Sequence, residues 1–200
     1  MKQLIFRTKR GRNAGFTLLE VLVVVFMIGI LVTIAAPGWL GFLNQQRVNA
    51  ANNAITLALR DTQREARAKK LNYSFVVRLN SDNVAEYAIY PDLASSPGTP
   101  DGFQRVPEAA PNLVWIGTNL TDKNISTGPG TLPAAITSTP AGKIQFDHTG
   151  AIVTPFSGPL TIAVAQAGAN REPVLASMRC VQITTILGSM ENRQGNQCTQ

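Results

Sequence analysis

The chain has one histidine and two cysteines in 200 residues. That is a thin supply of soft metal ligands, and no thiol or second imidazole stands at ligand spacing from His148, so no zinc site is expected. No glycine-rich phosphate loop, dinucleotide fingerprint or nucleophile elbow is present either. Neither an enzyme nor a bound cofactor is expected. Charge is also sparse, at 15% of residues, and unevenly placed. Of 18 lysines and arginines, five (Lys2, Arg7, Lys9, Arg10 and Arg12) fall in the first fifteen residues, where there is no acid. Without that segment 13 basic residues would face 12 acidic ones, a net of +1 in place of +6. The basic character therefore belongs to the N-terminus, and it argues against nucleic-acid binding by the remainder.

What the chain does have is one long apolar block. Phe16 to Leu43 contains a single charged residue, Glu20. About 20 apolar residues in a helix cross roughly 30 Å of hydrocarbon, so the segment is long enough to span. The cations stand before it and only Arg47 follows closely, so the positive-inside bias puts the N-terminus in the cytosol and the residues after about 42 outside. Cys180 and Cys198 would then lie in an oxidising compartment, where a bridge closing their short loop is expected to stabilise by about 3 kcal/mol. If that end faced the cytosol, two free thiols would be expected.

Glu20 separates the readings of the apolar block. A cleaved secretory signal ending near Ala35-Ala36 and a plain single-pass anchor both leave a carboxylate in the membrane without a partner, at a cost of about 2.5–3.5 kcal/mol. The run Gly15-Phe16-Thr17-Leu18-Leu19-Glu20, after a basic leader and opening an apolar helix, resembles the signal of type IV prepilins and type II secretion pseudopilins. The resemblance implies that a membrane-embedded prepilin peptidase cuts between Gly15 and Phe16 and methylates the Phe16 amine. It also implies that Glu20 meets that amine, in its own chain or in a neighbouring subunit, and so sets the register of assembly. A cation and an anion that are each costly in a bilayer neutralise one another there, and the helix dipole favours the anion in the first turn. Pro37 removes one helical hydrogen bond and is expected to break or bend the stem.

Beyond the apolar block, Val48, Ala51, Ile55, Ala58, Thr62 and Ala66 recur at helical steps and predict an amphipathic helix to Leu71. Strands are expected at 73–79, 85–90, 113–116, 143–146, 151–154, 160–165 and 174–187, with turns at Ser81-Asp82-Asn83 and Asp147-His148-Thr149-Gly150. Residues 91–111 and 118–142, rich in Pro, Gly and Thr, are expected as loops, the second as a surface insertion. The organisation is thus a leader at 1–15, a membrane stem at 16–42, an amphipathic helix at 43–72 and a β-rich domain at 73–200. The fold class is α+β and pilin-like, a long N-terminal helix packed on an antiparallel sheet.

Ala58-Leu59-Arg60 with Arg64-Glu65-Ala66, Ile144-x-Phe146-Asp147-x-x-Gly150, and Arg179-x-Val181-x-Ile183 before Gly188 are similar to the GspH/FimT group of minor pseudopilins and pilins. That resemblance implies a structural subunit of a type IV pilus or a type II secretion pseudopilus. It would reside in the inner membrane before assembly, with the prepilin peptidase and other pilin subunits as partners. The alternative it raises is DNA capture for transformation, as in FimT-like pilins with a basic C-terminal tail. Here the segment after Gly188 offers one arginine and one glutamate, and the paired cations that phosphate contacts need are missing.

Overall fold

The computed structural model describes residues 15–92 and 100–199, apart from the side chains of residues 36 and 37. The leader expected at 1–15 lies, but for Gly15, outside the described residues. The first element, α1, runs Leu18–Lys69. The chain divides into two compact units, residues 1–41 and residues 42–200.

Within the first unit the helical segment carries its apolar side chains on the surface, from Leu18 at 84% exposed to Leu40 at 62%. Residues 36 and 37 fall inside α1. The break expected at Pro37 therefore does not end the helix, and the two helices expected at 16–42 and 43–72 are one element. Proline deletes only the amide that would have bonded the Thr33 carbonyl; a single missing bond is tolerated where the rest of the ladder holds.

The second unit contains the sheets and the part of α1 that packs on them. Val48, Ala51, Ile55, Ala58, Leu59, Thr62 and Ala66 are buried, as the helical spacing requires. Thr62 Oγ1 donates to the Ala58 carbonyl at 2.7 Å, which lets a hydroxyl sit in that face without an unmet donor. The helix closes where Lys70 takes a left-handed φ of 56° and the Leu71 amide bonds back to the Ala66 carbonyl.

Eleven strands follow among the described residues: β1 Tyr73–Leu79, β2 Ala85–Pro91, β3 Gln104–Arg105, β4 Val114–Thr118, β5 Leu120–Asp122, β6 Ile125–Ser126, β7 Ala134–Ala135, β8 Ile144–Phe146, β9 Leu160–Ala167, β10 Pro173–Ile183 and β11 Met190–Gln194. They form a four-stranded sheet in the order β3-β2-β1-β8, a five-stranded sheet in the order β11-β10-β9-β4-β7, and the β5-β6 pair. All of these pairings are antiparallel. Both larger sheets send apolar side chains into one cluster with α1: Phe75, Ile144 and Phe146 from the first, Ile116, Leu160, Ile162, Val164, Val181 and Ile183 from the second. The architecture is α+β. β9 and β10 are covered on both faces, because Ala163, Ala165, Met178 and Cys180 form a second cluster with Trp115 and Cys198.

Three expectations are corrected. Residues 151–154 make an isolated bridge, Phe146 to Ile152, and no strand. The Val153 amide bonds the Gln145 carbonyl of β8, but the Ile152 amide goes to the Ile186 carbonyl and the Val153 carbonyl accepts from Asn124 Nδ2 at 2.6 Å. Residues 118–142 are no simple surface insertion, since they supply β5, β6 and β7 and two buried asparagines. Asn119 donates to the Pro159 carbonyl and accepts from the Thr161 amide, while Asn124 accepts from the Gln145 amide. The last strand ends at Ile183 and not at 187; the chain turns through Gly188 and returns as β11.

The turn at 147–150 is locked to α1. Asp147 Oδ1 accepts from the Thr149 hydroxyl and from the amides of Thr149 and Ala151. Burial alone would push this carboxyl up; the hydrogen bonds outweigh it and hold it below the usual carboxylate range. Gly150 has φ +81°, and a Cβ there would stand 2.1 Å from Arg67 Nε. Its lack of a side chain lets Arg67 reach the Thr149 carbonyl at 2.9 Å and Gln63 the Gly150 carbonyl at 2.6 Å.

Candidate functional site

Gly15, Phe16 and Thr17 precede the first turn of α1 in non-helical conformation. Thr17 Oγ1 accepts the Glu20 amide at 3.2 Å, and the Thr17 carbonyl accepts the Val21 amide at 3.2 Å. Thr17 is therefore the N-cap, satisfying one of the amides a helix start leaves without an intrahelical partner. The sequence carried the signal in Thr17-x-x-Glu20, the capping-box spacing, and the expectations built around Gly15, Phe16 and Glu20 passed over it. Phe16 is 79% exposed, and Glu20 is exposed in the first turn. A Cβ built on Gly15 meets nothing within 4 Å. Among the described residues nothing in contact with position 15 demands glycine there.

Leu18–Ala35 has a mean hydropathy of 2.9 and none of it is buried. By length and composition it can cross a bilayer. Full exposure of a surface this apolar is unfavourable in water at roughly 25 cal/mol per Å², so this face needs lipid or other helices around it. Glu20 is the one charged side chain along it. Chemically the site offers one carboxylate, Glu20, that can receive a cation. Among the described residues no group of three or more His, Cys, Asp or Glu could hold a metal ion.

The two cysteines meet far from this site in sequence. Cys180 in β10 and Cys198 in a 3-10 turn at Gly195–Thr199 form a disulfide with Cα atoms 5.8 Å apart, both half-cystines buried. The bridge ties the C-terminal turn to β10 and so confines β11 from its far end.

Residues 10–36 match the family model described as the prokaryotic N-terminal methylation motif. The match includes Gly15, Phe16, Thr17 and Glu20 and most of the apolar helix. No curated protein matches the sequence. Among solved structures, the type IV minor pilin FimU of Pseudomonas aeruginosa, strain PAO1, is similar in two crystal forms. One has 13% identity and a TM-score of 0.47, over 77% of this chain and 93% of FimU. The other has 14% identity and a TM-score of 0.43, over 76% and 93%.

Proposed function

We propose that this type IV pilin-like chain is a structural subunit, a minor pilin or pseudopilin of the GspH/FimT kind, made as a precursor and drawn into a filament by its N-terminal helix. A prepilin peptidase cuts between Gly15 and Phe16 and methylates the Phe16 amine. The subunit waits in the inner membrane with its N-terminus cytoplasmic and its β-rich domain outside, and then joins a type IV pilus or a type II secretion pseudopilus. The observation that carries this reading is the conjunction at one helix start. A methylation-motif match coincides there with an unburied apolar span and one carboxylate in the first turn.

In the membrane the Phe16 amine and the Glu20 carboxylate of an adjacent subunit neutralise each other, and that pairing favours one axial stagger. A carboxylate in the first turn of α1 also faces the positive end of the helix dipole. Thr17 keeps the helix start formed while the pairing is made. Pro37, inside α1, is the position where the helix yields when subunits crowd together, because one rung of its ladder is absent.

Mass spectrometry of the chain purified from peptidase-proficient cells tests the processing step. The expected N-terminus is Phe16 carrying one methyl group; a mature end near Ala36, or an intact precursor, overturns the reading.

A further inference from the structure

Between α1 and the outer strand of the five-stranded sheet lies an open cavity of about 540 Å³. Asn49, Asn52 and Asn53 line it from one helical face. Arg179, Asn192, Arg193 and Gln194 line it from β10 and β11, and Gln197 from the C-terminal turn. Its volume lies in the range of small-ligand sites, about 300–1,000 Å³. Among the described residues its lining is six carboxamides and two guanidiniums, with no carboxylate and no apolar side chain. Asn52 is 5% exposed, yet its Oδ1 has no hydrogen-bond partner. An unmet buried acceptor is unfavourable, so the fold keeps this amide at some expense.

The walls are held in place. Thr56 Oγ1 donates to Asn192 Oδ1 at 3.1 Å, and Arg179 Nη1 donates to Gln194 Oε1 at 2.7 Å. Arg193 is paired with Glu191. A guanidinium carries five donors in a planar fork, and Arg179 uses one of them on Gln194, leaving the fork able to take a carboxylate. Carboxamides present a donor and an acceptor side by side, which matches neighbouring hydroxyls on a sugar ring. An extended peptide would want apolar pockets for its side chains, and a nucleic acid would want aromatic platforms for its bases; the lining has neither.

We propose that this groove binds an acidic saccharide, with a uronate carboxylate on Arg179 and ring hydroxyls on Asn49, Asn52 and Asn53. The disulfide positions the β11 wall, since the chain segment it closes carries Asn192, Arg193, Gln194 and Gln197.

Full-length chain in zwitterionic, sugar-free detergent micelles is titrated calorimetrically with trigalacturonic acid and with its methyl-esterified, neutral counterpart. The acid form is expected to bind and the ester at least about tenfold more weakly, the size of one charge-assisted contact. Arg179→Gln is expected to lose about tenfold in affinity for the acid with its thermal midpoint kept. Asn52→Leu is expected to lose binding while its midpoint holds or rises, because it removes an unpartnered buried acceptor; a purely structural Asn52 would instead lower the midpoint. No binding of trigalacturonic acid at millimolar concentration overturns the proposal. So do equal affinity for acid and ester, unchanged affinity in Arg179→Gln, and tighter binding of a single-stranded oligonucleotide than of the saccharide.

Discussion

A carboxylate in the first turn of an otherwise apolar helix can be tolerated or used, and Glu20 allows the two to be told apart. Were it only tolerated, Glu20→Val would be neutral or would help insertion, since removing a charge from the bilayer gains about 2.5–3.5 kcal/mol. If it pairs with a Phe16 amine, the same change strands that cation and erases the axial signal. The expected result is a variant that is processed and reaches the membrane at normal level but is missing from sheared filaments and from co-purified subunit complexes; normal incorporation refutes the pairing. The N-cap adds a control. Thr17 bonds the Glu20 amide and not its carboxylate, so Glu20→Val leaves that capping hydrogen bond in place. The exposed apolar helix with one acid in its first turn was legible in the sequence because charge and hydropathy there are local properties of consecutive residues. The polar groove was not, because Asn52 and Asn192 meet only when a helix and a strand 140 positions apart are folded together.

At the scale of elements, what was legible follows the same division. The amphipathic face from Val48 to Ala66 and the hairpin of β1 and β2 obey simple periods, and both are present. The errors fall where a side chain replaced a ladder bond. Asn124 takes the Val153 carbonyl that a strand at 151–154 would have offered a neighbour, and no periodicity of hydrophobic residues reports a buried asparagine. β11 was missed because Met190–Gln194 has the composition of a loop. It is a strand because β10 lies beside it in register from Arg179 to Ile183 and the disulfide closes the 18-residue separation behind it. Replacing both cysteines by alanine should cost about 3 kcal/mol of unfolding free energy and accelerate amide hydrogen exchange at residues 190–194 well before that of β9. Denaturant titration and exchange mass spectrometry read the two effects, and unchanged protection of β11 would show that the bridge does not hold it. In the unmodified protein, alkylation under denaturing, non-reducing conditions should find neither thiol free.

For the molecule as a whole, charge bears on partners. Without the first fifteen residues the balance would be +1, and the C-terminal strand mixes Glu191 with Arg193 in an ion pair. Mature full-length chain in micelles should therefore bind duplex DNA no more tightly than roughly 10⁻⁴–10⁻⁶ M at physiological salt, the non-specific range. A submicromolar shift in a gel assay at that salt would contradict this and turn attention to Arg60, Arg64, Arg67, Lys69 and Lys70. The outer strands have a different consequence. β3 and β7 are two residues long, β8 is three, and β11, the longest at five, carries both charges of the Glu191–Arg193 pair. Short or charged rims give a stray strand little backbone to zip onto. Chains crowded side by side are thereby kept from fusing through their sheets into amyloid-like deposits, which leaves the unburied apolar helix as the adhesive surface, one that a bilayer could mask.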